Sequence, residues 1–136
     1  MADISSAQLG KGIARLQESV AAYEAEPANL MIRDSVIKRF EFTFELAQSL
    51  LRKYVEERSI NAKERERLSF PTLIRTASQD GLLLDGLPTW QQFRDARNKT
   101  SHTYNEDQAL AVMAIVPEFQ RQVAFLFSRL EEEMLA

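Results

Sequence analysis

The run Phe93-Arg94-Asp95-Ala96-Arg97-Asn98-Lys99-Thr100-Ser101-His102-Thr103-Tyr104 gathers guanidinium, imidazole and phenol groups in one short stretch, and it holds the chain's single histidine. On a helical wheel Arg97 falls within about 40° of both Trp90 and Phe93, which sets a guanidinium on the side that ought to be buried. Two outcomes are open for it. Its stem packs on the apolar face and its head meets a carboxylate of an earlier helix, or the cation is held there for chemistry. His102 lies about 140° from Arg97 around a regular helix, so the two side chains cannot converge on one atom unaided. Either the helix unwinds before His102, or complementary residues come from a second copy of the chain.

Arginine and histidine without a metal suit phosphodiester transfer on RNA. A base takes the proton of the 2′-hydroxyl, and a fixed cation stabilises the charge that builds on the phosphorane. One histidine per chain supplies only the acid or only the base. A two-fold interface supplies both, with paired Arg97 side chains holding phosphate oxygens. Tyr104 offers a hydroxyl in the same place; its plain structural alternative is a ring packed on the first turn of the following helix.

Other chemistries are excluded by what the sequence lacks. A ferritin-like di-metal centre wants two Glu-x-x-His pairs, and three-His or His-Glu-His zinc sites cannot be built in one chain with one histidine. There is no glycine-rich phosphate loop. With no cysteine, disulfides and thiolate sites are out, and a reducing cytoplasm is allowed. No cofactor or metal is called for. Glu41 and Glu45 share a helical face with Asp34 and Lys38, which a solvated, salt-bridged surface explains better than a ligand pair.

The elements that must position these residues are helical. The 136 residues, 45% hydrophobic and with few glycines and prolines, suit one domain spanning 1–136 with a single core. Leu9, Ile13, Leu16, Val20 and Tyr23 make the apolar stripe of a first helix, opened by a Ser5/Gln8 capping box and ended near Pro27. A second helix from about Leu30 to about Arg58 buries Val36, Ile37, Phe40, Phe44, Ala47, Leu51 and Tyr54. Phe42 and Leu46 lie on its other side, which points to a central helix or a homodimer. Ser59 to Leu68 reads as a charged connection or a solvated helical extension. Ser69 and Pro71 open a short helix that Gly81 closes, Leu82 to Leu84 form a buried loop, and Pro88 starts the helix carrying Trp90, Phe93 and Arg97.

Asn105 caps a last helix that runs to about the C-terminus, with a kink expected at Pro117. Its broad apolar face comprises Val112, Ile115, Val116, Phe119, Val123, Leu126, Phe127 and Leu130. The expected fold is all-α: an antiparallel four-helix bundle with one additional short helix. The net charge of −3 argues against nonspecific coating of nucleic acid, so any such contact must be local. No export signal or membrane span is expected, which leaves a soluble, cytoplasmic protein.

Arg33-Asp-Ser-Val-Ile-Lys-Arg-Phe-Glu-Phe-Thr-Phe-Glu-Leu-Ala47, Trp90 and Arg97-Asn-Lys-Thr-Ser-His-Thr-Tyr104 together resemble the nucleotidyltransferase substrate-binding protein family of the HEPN superfamily, over essentially the whole chain. The resemblance implies a helical homodimer encoded beside a separate minimal nucleotidyltransferase (MNT). In toxin/antitoxin members the HEPN chain is a metal-independent ribonuclease, and the MNT partner silences it by adding AMP to the motif tyrosine. Carried over by position, Arg97 and His102 are catalytic, Asn98 and Ser101 are supporting polar groups, and Tyr104 is the modified residue. The alternative within this family is a binding module that presents a nucleotide or substrate to the transferase without cleaving anything. The chain lacks the Gly-Ser and paired-Asp signature of the transferase itself.

Overall fold

The computed structural model describes residues 5–58 and 68–135. Five helices follow one another there: α1 (Ser6–Ala25), α2 (Leu30–Glu57), α3 (Phe70–Gln79), α4 (Leu87–Lys99) and α5 (Glu106–Leu135), with a 3-10 turn (Thr100–His102) between the last two. The starts are set by local chemistry. Ser5 accepts from the Gln8 N–H while the Gln8 side chain reaches back to Ser5 N, the expected capping box. Asn29 caps α2 by accepting from the N–H groups of Met31 and Ile32, and Ser69 caps α3 by accepting from the N–H of Thr72. Gly81, with φ of 77°, closes the end of α3 in the left-handed conformation that glycine takes most easily.

Contacts at the helix ends give the directions. Arg33 near the start of α2 meets Glu106 at the start of α5, and Tyr54 meets Glu133 near their far ends, so these two helices run parallel. Ser6 at the start of α1 bonds Glu131 near the end of α5, and Arg97 late in α4 reaches Glu45 of α2. The result is an up-down-up-down bundle with α2 and α5 as its central pair. α1 and α4 flank that pair and do not touch each other.

An aromatic cluster joins α2, α4 and α5. Phe119 stands edge-on to Phe40 at 4.9 Å and to Phe93 at 5.2 Å, and Trp90 stands edge-on to Phe93 at 5.1 Å, all of them buried. Every residue expected on the main face of α2 is buried. On its other side Leu46 and Phe42 part company. Leu46 packs against the core beside Gly12, whereas Phe42 is 59% exposed on the open face of α2. Gly12 permits this close α1–α2 approach, since a Cβ there would lie 3.2 Å from Thr43 Oγ1 and 3.3 Å from Leu46 Cδ1.

Two expectations need correction. The loop after α3 buries Leu82 and Leu83, but Leu84 is 44% exposed, because the chain turns there into the Gly86 entry to α4. α5 runs as one helix to Leu135, as expected, with Pro117 inside it. It is also long and apolar enough, by length and composition alone, to cross a membrane. Along it Val112, Val116, Phe119, Val123, Leu126 and Leu130 are buried against the other helices, whereas Ile115 and Phe127 of the expected apolar face are half-buried and Leu110 is exposed. The charged connection expected from Ser59 lies, apart from Leu68, outside the described residues.

Candidate functional site

The motif occupies the last turn of α4, the 3-10 turn and the entry to α5. α4 ends at Lys99, so the regular helix does unwind before His102, one of the two routes by which the wheel angle can be relieved. Thr100 drives the change of winding: its hydroxyl donates to the Arg97 carbonyl at 2.7 Å, and its own carbonyl lies 3.4 Å from the Thr103 hydroxyl. The turn then closes with Asn105 N–H donating to the His102 carbonyl at 3.1 Å. Asn105 next caps α5, its side-chain oxygen accepting from the N–H groups of Asp107 (2.9 Å) and Gln108 (3.3 Å).

A cross-helix clamp fixes the far end of this connection. Buried Arg33 donates from both terminal nitrogens to Glu106, at 2.7 and 2.9 Å, tying the first residue of α5 to α2. The hydrogen bond from Arg33 holds the Glu106 carboxyl below the usual range, and the same bond raises the Arg33 guanidinium.

Between these anchors the reactive side chains are presented openly. His102, Asn98 and Ser101 are exposed, and Tyr104 is 89% exposed, so its ring does not pack on the first turn of α5. The His102 and Tyr104 rings stand edge to face with centroids 6.3 Å apart. Arg97 behaves differently. Its side chain is two-thirds buried in the seam between α4 and α2, with Nε against Glu45 Oε1 as an ion pair. The structural outcome weighed for Arg97, a packed stem with its head on a helix-two carboxylate, is therefore the one observed. No hydrogen bond or ion pair joins Arg97 to His102 among the described residues.

Glu41 sits one turn from Glu45 on the same face and bonds Lys38 at 3.1 Å. Burial alone would raise its carboxyl, but Lys38, the adjacent Thr100 and the charge of Arg97 hold it below the ordinary value. The Asp34–Lys38–Glu41–Glu45 face is thus a salt-bridged wall beside the motif. A shallow groove of about 240 Å³ lies between that wall and the turn, lined by Asp34, Ile37, Lys38, Glu41, Thr100, Ser101 and Thr103. Sequence reasoning missed the Arg33–Glu106 clamp. Its only visible signal was an arginine in the α2 motif followed, much later, by an acidic residue at a helix start.

A helical bundle that shows a histidine and a tyrosine together on a capped turn, with an arginine anchored one turn before, carries in three dimensions the motif on which the resemblance to the HEPN superfamily rests. The chain is a member of the family described as nucleotidyltransferase substrate binding protein like, which it matches over residues 5–132. Over 96 residues it is 33% identical to a probable ribonuclease HepT of Haemophilus influenzae, a match covering 71% of this chain and 65% of that relative. A solved Haemophilus influenzae structure, described as revealing the fold of a substrate-binding domain of a nucleotidyltransferase, superposes with a TM-score of 0.85 at 27% identity, over 93% of this chain and 99% of its own. A Thermus thermophilus crystal structure matches with a TM-score of 0.71 at 32% identity, over 90% and 98% of the two chains.

Proposed function

We propose that this chain is a HEPN-type toxin: a metal-independent endoribonuclease, cytoplasmic and homodimeric, whose site forms across the two-fold interface and which a cognate MNT antitoxin silences by adding AMP to Tyr104. The observation that carries this reading is the capped turn, which presents His102 and Tyr104 openly and side by side while Arg97 is held in the adjoining seam. Similarity to a probable ribonuclease supports it.

In the proposed reaction one His102 takes the proton from the 2′-hydroxyl, and that oxygen attacks the adjacent phosphorus. The 5′-oxygen leaves with a proton from the second protomer's histidine, giving a 2′,3′-cyclic phosphate and a 5′-hydroxyl end. Arg97 neutralises charge on the non-bridging oxygens, while Asn98 and Ser101 supply hydrogen bonds at the rim. In the silencing reaction the Tyr104 hydroxyl loses its proton and attacks the α-phosphate of ATP, releasing pyrophosphate. The adenylate then adds negative charge and bulk two residues from His102, repelling RNA phosphate.

The second reading is a non-catalytic module that presents a substrate or nucleotide to the transferase. The description of the Haemophilus fold as a substrate-binding domain favours it, as does the capture of Arg97 by Glu45. Expression of the chain alone, beside Arg97→Ala and His102→Ala at matched protein levels, separates the two. Growth arrest with RNA cleavage that disappears in both variants is the expected result. Normal growth and intact RNA with unmodified wild type would favour the binding module.

A further inference from the structure

Whether Arg97 can hold a phosphate depends on how its guanidinium is set, and the neighbouring helix sets it. α2 runs against α4 in the opposite direction and brings Glu45 onto Arg97 Nε. That Nε is buried and makes no hydrogen bond, so the contact is a charge pair rather than an aligned N–H donation. Glu41, one turn away, is bonded by Lys38 and feels Arg97 only through its charge, which leaves Glu45 as the carboxylate in ion-pair contact with Arg97.

The ends of the guanidinium differ from those of other anchored arginines here. Arg33 spends both terminal nitrogens on Glu106, and Arg129 spends all three nitrogens on Gly81, Glu132 and Glu133. The two terminal nitrogens of Arg97 donate no hydrogen bond among the described residues. A guanidinium held by its Nε side keeps its paired terminal N–H groups for a second, planar, two-oxygen partner, and a phosphodiester offers that geometry.

We infer that Glu45 is a positioning residue for Arg97: its carboxylate fixes the Nε side of the guanidinium so that the two terminal nitrogens take non-bridging oxygens of an RNA phosphodiester. The inference rests on the ribonuclease reading and names the residue that prepares its cation. It differs from a masking role, in which Glu45 would compete with phosphate and its removal would speed cleavage.

The test compares RNA cleavage by wild type, Glu45→Ala, Glu45→Gln, Arg97→Ala and the Glu45→Ala/Arg97→Ala double variant, each checked by thermal melting. Misplacing a positioned group costs on the order of 10- to 100-fold, so Glu45→Ala should lower kcat by about that factor with a smaller change in KM, and Glu45→Gln should fall between. Because Glu45 acts through Arg97, the double variant should be no worse than Arg97→Ala alone. Independent, additive losses, or faster cleavage by Glu45→Ala, would overturn the inference. Should Glu45→Ala fail to fold, Glu45→Gln takes its place in the same cycle.

A second measurement does not depend on cleavage. The Arg97 Nε–H resonance is followed by nitrogen-15 NMR while a 2′-O-methyl oligonucleotide, which cannot be cleaved, is titrated in. The wild-type resonance should shift, and the Glu45 variant should bind roughly two- to threefold more weakly, a smaller loss than in kcat. A wild-type resonance that ignores the oligonucleotide, or equal affinity in the variant, overturns the inference. If wild type cleaves no RNA, the ribonuclease reading fails by itself, and this titration still decides the role of Glu45.

Discussion

Tyr104 spreads nearly its whole ring and hydroxyl into solvent at the entry to α5, so removing the hydroxyl should leave the fold and the cleavage chemistry in place. Tyr104→Phe is expected to melt within about 0.5 kcal/mol of wild type, as exposed substitutions do, and to resist silencing by the partner transferase. Mass spectrometry of the co-expressed pair checks this; a Phe variant that is still fully silenced would remove Tyr104 from the mechanism. At the clamp, hydrogen bonding to Arg33 puts the folded pKa of Glu106 below its unfolded value. The stability it contributes is complete above the unfolded carboxylate pKa of about 4.3 and is lost as pH falls through the lowered folded value. Glu106→Gln should therefore flatten that part of the acid limb of a melting-versus-pH profile, and an unchanged limb would show the clamp to be inert. Residue types and spacing were enough to single out Arg97, His102 and Tyr104 as candidates. Which carboxylate would meet Arg97 was not legible, because the choice between Glu41 and Glu45 depends on the relative register of α2 and α4 and on Lys38 taking Glu41 first.

At the scale of elements, Gly12 marks where α1 comes closest to α2. A leucine there would drive methyl groups into Thr43 and Leu46, and overpacking of this kind costs roughly 1–3 kcal/mol. Gly12→Leu should lower the thermal midpoint and loosen the α1–α2 seam in hydrogen exchange, while the α4–α5 end keeps its protection. Helix starts were readable from Ser5, Asn105, Ser69 and Pro88 because capping is a local matter of one side chain and two or three amides. The wheel angle between Arg97 and His102 was a sound argument for a regular helix, and Thr100 is where it stops applying. Phe42 and Leu46 illustrate the limit of periodicity. Both stand off the main face of α2, yet only Leu46 is covered, since coverage depends on where α1 crosses.

For the whole molecule, the proposed two-fold site needs a face on which two copies meet; Leu30 and Met31 are open at the start of α2, and Phe42 is the large apolar side chain left open in its middle, beside Glu41 and Glu45. Phe42→Asp should shift sedimentation toward monomer and lose RNA cleavage together, with the melting temperature of the protomer little changed. Cleavage by a fully monomeric variant would place the whole site within one chain. The all-helical layout was legible in the sequence, but the pairing of α2 with α5 as the central, parallel axis was not, because it emerges from which ends meet: Arg33 with Glu106, Tyr54 with Glu133. That pairing has a mechanical effect on the motif. Residues 103–105 alone separate the 3-10 turn from α5, and both sides of that bridge are tied down. Three residues reach no more than about 11 Å even when fully stretched. A group attached to Tyr104 is thus on a short leash whose post cannot move, and it stays beside His102 like a stopper chained to its bottle. Silencing of this kind asks for no change of shape, and lengthening the chain by a single residue between His102 and Tyr104 would loosen the stopper without touching either end.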